Sequence, residues 1–385
     1  MTEVAIIRGP WFRPNSTLLW EYLHNAYDDI SVTGFNSDPA WFDASELDLP
    51  IEALDWWDGK IDAFGHENII YQGLEKYGFP NIVLSGIRQI VEEYDIVHVT
   101  ENFRLYSLYA ALLCDRRETT LFVDCHENIP HRPANPVTWG VKRTVNRLAD
   151  RFTCPTMDSK RALIHEGVDS DAIHLLPNVV DLEQFDRGPS DPAKASLPDH
   201  LESTFTVLFV HGLNEAKGTR FLVEAIEQIQ HHHDDVSLIL VGENDLESEY
   251  YDSHVAANPD VHHVEYIPEI RYLYHLSDVF VLPSVAVKKW EEQFGRVLVE
   301  SMACGVPSVV TDVGGPRFVV EPGETGLVVP SRSSDALAGA ITELYEDEQR
   351  RREMSQQAYE YVRETYAPDI VGDDLYCMYQ AALEE

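Results

Sequence analysis

Lysine is almost missing. Only eight of 385 residues are lysine (Lys60, Lys76, Lys142, Lys160, Lys194, Lys217, Lys288 and Lys289), and the other cations are arginines. Basic residues as a whole are few. There are 29 Lys+Arg against 66 Asp+Glu, a formal charge of −37. So acidic a chain lacks the basic surface that a phosphate backbone needs, which argues against nucleic acid as a partner. Apolar runs are short too. None approaches the roughly 20 residues of a membrane-spanning helix. The opening MTEVAIIRGPW has no basic stretch followed by a long apolar one, so it reads as a first strand and not as a signal peptide. The five cysteines (Cys114, Cys125, Cys154, Cys304, Cys377) are odd in number and form no CxxC pair. Buried thiols in a reducing cytosol fit them best. No G-x-G-x-x-G follows the first strand, which argues against a Rossmann dehydrogenase. The one Asp-x-Asp, Asp169-Ser170-Asp171, falls in a turn before a strand, and no metal is expected.

What is present is a length suited to two α/β domains of about 150–200 residues each. Short β-rich runs alternate with helical stretches, which points to parallel sheets flanked by helices. Strands are expected at 4–8, 30–34, 95–100, 120–125, 151–154 and 172–176. Six more are expected at 206–210, 236–241, 261–266, 279–282, 308–311 and 326–329. Between the two sets lies DRGPSDPAKASLPDHLES, residues 186–203, polar and without apolar periodicity, which reads as a linker. The domains are accordingly 1–185 and 204–362, and 363–385 is a C-terminal helix returning toward the first domain. The tail from Ser334 is helical with a break at Ala367-Pro368. The acidity would self-repel in dilute buffer and is tolerable near 1 M salt, where the Debye length is about 3 Å. This composition resembles that of proteins from salt-accumulating haloarchaea.

Two segments carry chemistry. Phe205–Gln230 reads strand, loop, helix, with the loop His211-Gly212-Leu213-Asn214-Glu215-Ala216-Lys217-Gly218 and Thr219 as helix N-cap. A helix N-terminus at the end of a strand offers N–H groups and a positive dipole end to an anion, with Lys217 and Gly218 beside it. The second segment is Glu292-Gln293-Phe294-Gly295-Arg296-Val297-Leu298-Val299-Glu300-Ser301-Met302-Ala303-Cys304-Gly305-Val306-Pro307. Gly295 opens a helix, Gly305 suits the position after it and Pro307 stops it. A helical rise over eight residues puts Glu292 and Glu300 roughly 12 Å apart. That exceeds the ~5–9.5 Å of a glycoside hydrolase pair but suits two ends of an extended ligand.

These residues closely resemble the family 4 retaining glycosyltransferases. The matching features are Glu292-x7-Glu300 with SMACGVP, the preceding Asp278-Val-Phe-Val-Leu-Pro-Ser284, and the Asn214–Gly218 loop. Leu176-Pro177-Asn178-Val179-Val180-Asp181 with Phe185, Gly314-Gly315, and Glu324-Thr325-Gly326-Leu327 match as well. The resemblance implies a GT-B fold, two Rossmann-like domains with parallel sheets facing across a cleft. It implies a retaining transfer of a hexosyl unit from a nucleotide diphosphate sugar to a glycan or lipid-linked acceptor by front-face substitution. Glu292 would then hold hexose hydroxyls, Glu300 the ribose, and Lys217 the diphosphate. Main-chain N–H groups near Phe294, Gly295 and Arg296 would add donors. His126 would stand at the acceptor-facing rim, with Glu292, Lys217 and His126 as the catalytic set. No cofactor or metal is implied; the donor is a substrate. Gly212 stands where the family has an arginine, and Arg317 is the candidate substitute. Phe318 replaces the usual Glu, and Arg8-Gly9-Pro10-Trp11, followed by Phe12-Arg13, replaces the N-terminal Gly-Gly loop.

From Arg132 to Arg161 the charge reverses locally. Arg132, Lys142, Arg143, Arg147, Arg151, Lys160 and Arg161 face only Asp150 and Asp158. Val141, Val145, Leu148 and Phe152 space as one helix face. Such a basic helix could meet an anionic membrane or a lipid-phosphate acceptor. The expected location is the cytoplasm, with a peripheral seat on the inner membrane face as the variant of that reading. Two alternatives stay open: a catalytically inactive nucleotide-sugar-binding subunit, and a nucleotide-sugar 2-epimerase.

Overall fold

The computed structural model describes residues 1–9, 12, 14–38, 44, 47–55, 84–117, 119–132, 135–189, 197–288 and 290–384. Pro10, Trp11, Arg13, Lys60, Lys76, Lys194, Lys289 and the middle of the expected linker lie outside them.

The chain forms two compact units. Unit 1 comprises Met1–Val179 with Pro368–Glu385, and unit 2 comprises Val180–Ala367. The crossings thus fall at 179/180 and 367/368, where the sequence had placed boundaries at 185 and 362.

Unit 1 carries a seven-stranded sheet in the order β3-β2-β1-β4-β5-β6-β7. Its strands are β1 (Thr2–Gly9), β2 (Ile30–Asp38), β3 (Ile51–Asp55), β4 (Ile96–Thr100), β5 (Thr120–Asp124), β6 (Arg151–Cys154) and β7 (Ile173–Leu175). Every pairing is parallel. The helices used below are α1 (Pro14–Ala26), α2 (Ile87–Glu93), α3 (Leu105–Cys114), α4 (Pro136–Leu148) and α5 (Met157–His165). Parallel strands covered on both faces must be apolar throughout, which is why runs such as Val-Ala-Ile-Ile in β1 do not alternate.

Unit 2 carries a six-stranded parallel sheet, β10-β9-β8-β11-β12-β13. Its strands are β8 (Phe205–Val210), β9 (Val236–Val241), β10 (Val261–Val264), β11 (Val279–Leu282), β12 (Ser308–Thr311) and β13 (Gly326–Val329). The helices are α6 (Thr219–Gln230), α7 (Arg271–Leu276), α8 (Arg296–Ala303), α9 (Pro316–Val319), α10 (Ser334–Glu346) and α11 (Glu348–Thr365). The last helix, α12 (Pro368–Leu383), belongs to unit 1, where Val371, Leu375 and Tyr379 bury against α1 and the sheet. Part of the expected linker is structural: Leu201, in a short 3-10 turn at Asp199–Ser203, is buried in the unit 2 core.

Strand order reverses between β1 and β4 in one sheet and between β8 and β11 in the other. In open α/β sheets such switch points leave a crevice beyond the strands' C-terminal ends, and ligands bind there.

Candidate functional site

In unit 2 the two chemistry-bearing segments flank the β8/β11 switch. Lys217 follows β8 and Glu292 follows β11, and Lys217 Nζ lies 2.5 Å from Glu292 Oε2. Both are nearly sealed from water: Lys217 is 5% exposed, and the Glu292 side chain 12%. Burial pulls the Lys217 ammonium below its usual pKa, and Glu292 pushes it back up. The Trp290 ring sits under the ammonium, 4.3 Å from ring centre to Nζ. Ser284 Oγ donates to the same Glu292 oxygen at 3.4 Å.

The backbone explains why the pair forms. Asn214 Oδ1 accepts from Lys217 N at 3.1 Å, closing the loop after β8. Gly218 then turns left-handed (φ 70) and caps α6, so Thr219 is the first helical residue and not the N-cap expected from sequence. A side chain at 218 would overlap the Pro283 carbonyl, which brings the β11 loop against the β8 loop. On the other side, Gly315 N donates to Glu292 O at 2.8 Å, and a Cβ at Gly314 would overlap that same carbonyl. The Gly-Gly pair therefore fixes the backbone of Glu292 by close approach.

Gly295 is the left-handed N-cap of α8. The helix begins only at Arg296, so the all-helical rise assumed between Glu292 and Glu300 does not apply. The N-terminus of α8 carries the positive end of the helix dipole, and there Leu298 N donates to Gly295 O at 2.9 Å. Phe294 turns its ring into the core, edge-on to Tyr366, leaving only its main chain for a ligand. Glu300 accepts from Tyr274 Oη at 3.0 Å. Burial raises its pKa, against the lowering effects of Tyr274 and Arg296.

Gly212 N donates to His211 Nδ1 at 2.8 Å. His211 is held down to about 4 by burial and by the Lys217 charge. A side chain at Gly212 would make only ordinary contacts, with Asn214 at 3.4 Å. Arg317 donates to the Asp312 carbonyl at 2.9 Å and stacks on Phe318. Asp169 and Asp171 form a local turn in which Asp169 Oδ1 accepts from Asp171 N.

In unit 1, His126 lies just beyond β5. Its Nε2 is 2.9 Å from Asp124 Oδ2, and its main-chain N–H donates to Glu101 Oε1 at 3.3 Å. Arg8, near the end of β1, stands 3.8 Å from Asp124. Burial works against a charge on His126, but Asp124 and then Glu101 raise its pKa above the ordinary value. Burial opposes the Asp124 charge as well; His126 and Arg8 outweigh it and hold the carboxyl well below the usual range. Glu101 adopts a left-handed backbone (φ 68), a strained conformation for a side chain of its size.

The structure thus brings Lys217 and Glu292 together in unit 2, sets Glu300 on α8 against Tyr274, and places His126 in unit 1. Sequence reasoning passed over Tyr274, Trp290, Asp124 and Glu101, and named Ser284 only as part of a motif. Asp124 and Trp290 stand two residues before His126 and Glu292, the one signal that could have found them.

The basic stretch is corrected in two places. Lys142 is buried and paired with Glu166 at 2.6 Å, within a network that includes Asn102 and Asn146. Phe152 belongs to β6 and not to the helix face, because α4 ends at Leu148. What α4 exposes is Trp139, Arg143 and Arg147, at four-residue intervals, with Val137 nearby.

Residues 197–361 match the family model of glycosyl transferases group 1, and residues 58–184 match that of glycosyltransferase family 4. A D-inositol 3-phosphate glycosyltransferase of Paenarthrobacter aurescens is 29% identical over 228 residues, 57% of this chain and 54% of that protein. A phosphatidyl-myo-inositol mannosyltransferase of Mycobacterium leprae is 29% identical over 221 residues, 56% of this chain and 55% of that protein. The chain therefore matches about half the length of these curated relatives. Among solved structures, Anabaena HepE in complex with UDP superposes with a TM-score of 0.75 at 19% identity, covering 99% of this chain and 100% of that one. At that identity the likeness shows the fold alone. On these grounds the chain has the GT-B fold, with residues 58–184 similar to glycosyltransferase family 4 and residues 197–361 similar to glycosyl transferases group 1.

Proposed function

We propose that this chain is a retaining glycosyltransferase that moves a hexosyl unit from a nucleotide diphosphate sugar to a hydroxyl of a glycan or lipid-linked acceptor. The observation that carries this reading is the buried Lys217–Glu292 pair beside the α8 N-terminus. A diphosphate bound there meets an ammonium and a helix dipole, and Glu292 is left to accept from sugar hydroxyls. Glu300, presented by Tyr274, suits the ribose diol. The leaving diphosphate accepts the acceptor's proton on the same face, so the reaction needs no protein nucleophile, and the lysine and helix terminus carry the developing charge without a metal. His126, held by Asp124, is the acceptor-side residue. Relatives named for transfer to inositol-bearing molecules support the class.

The test is incubation with UDP-, GDP- and ADP-sugars in molar KCl, following nucleotide release with and without a lipid extract. Acceptor-dependent release, with retained anomeric configuration by NMR, is the expected result. Binding without turnover would instead favour an inactive subunit. Isomerisation of the donor at C2 would favour an epimerase.

The acceptor is proposed to be lipid-linked, met at the membrane surface by α4. Trp139 is 51% exposed and Val137 42%, beside exposed Arg143 and Arg147. An aromatic and two arginines on one helix stripe, within so acidic a chain, suit an anionic interface. Arg143→Glu with Arg147→Glu should abolish sedimentation with phosphatidylglycerol vesicles. Unchanged sedimentation rejects the idea. No described helix is long and apolar enough to cross a membrane.

A further inference from the structure

A line of buried polar side chains runs through the core of unit 1 from α12 to His126. Tyr379 Oη lies 2.7 Å from His98 Nδ1. The other ring nitrogen of His98 lies 3.4 Å from Thr153 Oγ1. Thr153 Oγ1 donates to Asp124 Oδ1 at 3.1 Å, and Asp124 Oδ2 meets His126 Nε2. Tyr379, His98 and Thr153 are all but inaccessible, and Asp124 is buried too. Each buried polar group must find a hydrogen-bond partner, a demand that apolar residues filling this core would not make.

The direction of every bond follows from its neighbours. Asp124 is an anion and only accepts, so Thr153 must give it the hydroxyl proton. The Thr153 oxygen then offers a lone pair to His98, which must carry its proton on Nε2. Burial holds His98 down to about 4, so it is neutral and Nδ1 is bare. Tyr379, whose burial keeps it protonated, donates to that nitrogen. The opposite tautomer would set a bare Nε2 against the lone pairs of the Thr153 oxygen and take from the Tyr379 hydroxyl its acceptor on the ring. All donors in the line therefore point toward Asp124.

We propose that Tyr379, His98 and Thr153 are positioning residues for His126, a one-way relay by which α12 holds the Asp124 carboxylate against His126 Nε2 and leaves His126 Nδ1 as the nitrogen offered to the acceptor hydroxyl. The inference rests on the glycosyltransferase reading for the role of His126, but the relay itself does not. His126 is faced by Asp124 from β5, by Glu101 after β4 and by Arg8 of β1. Thr153→Val removes one donor from Asp124, so its charge falls more fully on His126, and His126 should titrate higher. Tyr379→Phe acts two bonds further out and should move it in the same direction by less.

The experiment is ring-nitrogen NMR of histidine-labelled full-length protein in molar KCl, read beside transfer kinetics and UDP binding. In the wild type, His98 should be the neutral Nε2–H tautomer at pH 7, and His126 should show a hydrogen-bonded Nε2–H. Thr153→Val and Tyr379→Phe should raise the His126 midpoint in that order. Both should shift the pH profile of transfer and lower its rate severalfold, with UDP affinity unchanged. An Nδ1–H tautomer at His98, or an unmoved His126 midpoint in both folded variants, overturns the relay. If the variants fail to fold, the wild-type tautomer still decides it. Ring shifts as expected with no transfer from any nucleotide sugar would sink the enzymatic reading and the assigned role of His126 while leaving the hydrogen-bond line intact.

Discussion

Lys217 and Glu292 neutralise each other, and neither is well solvated. Removing one partner of such a pair leaves a buried charge uncompensated, which costs roughly 3–5 kcal/mol at fully buried sites. Lys217→Met should therefore destabilise unit 2 by about 3 kcal/mol, somewhat less than the limit because the Glu292 side chain is 12% exposed. Adding Glu292→Gln should recover most of that loss in urea unfolding. A double variant no more stable than the single one would show that the pair is not coupled. Gly212 poses the opposite experiment. The resemblance sets an arginine there, and the structure has room for a Cβ. A second cation on the diphosphate is worth roughly 1.5–3 kcal/mol of charge-assisted hydrogen bonding. Gly212→Arg should therefore tighten UDP-sugar binding by about tenfold or more in calorimetry. No gain in affinity would mean that another group already fills the place. Lys217, Glu292 and Glu300 were named from local motif and resemblance. Their partners were not, because Tyr274 and Trp290 reach them only through folding of α7 and the β11 loop.

At the scale of elements, loops beyond β8 and β11 decide the site. Gly218 carries both constraints, a left-handed turn and contact with Pro283. Gly218→Ala should cost about 2 kcal/mol or more, from backbone strain plus the displaced carbonyl, and should weaken UDP-sugar binding through the adjacent Lys217. A variant with wild-type Tm and affinity would show that the turn tolerates a side chain. Most strands were visible as apolar runs bounded by turns, and several match their expected limits to the residue, such as Arg151–Cys154 and Val236–Val241. β3 was missed. Ile-Glu-Ala-Leu-Asp is a half-polar edge strand, paired on one side only, and its Glu52 and Ala53 stay exposed. Edges need not be apolar, so periodicity alone cannot find them. The Thr219 cap failed for a related reason. A good capping residue loses to a glycine when the preceding turn must be left-handed.

For the molecule as a whole, charge sets the conditions under which it holds together. A formal −37 repels itself at low ionic strength, and screening weakens that repulsion. Tm followed by circular dichroism should rise steadily between 0.1 and 2 M KCl. A flat or falling profile would show that the acidity carries no salt adaptation. Acid adds a second effect. His98 titrates near 6.5 in the unfolded chain but only near 4 when folded. Its depressed value means the unfolded state binds the proton first, so stability falls as pH drops from 6.5 toward 4, by up to about 3 kcal/mol. The fall in stability from pH 7 to 4.5 should shrink in His98→Asn. An equal fall in both proteins would assign it to other groups.

The sequence by itself determined the α/β alternation, the strand cores, the donor-side motifs and the acidic surface. Each of these is written in local pattern or in composition. Only the tertiary structure decided where the chain crosses between units, that Lys142 is buried, and that the Gly-Gly pair grips the Glu292 backbone. It also joined Tyr379 to His126 across 253 residues of chain. Those outcomes depend on contacts between elements far apart in sequence, and no local pattern encodes which buried polar group will meet which.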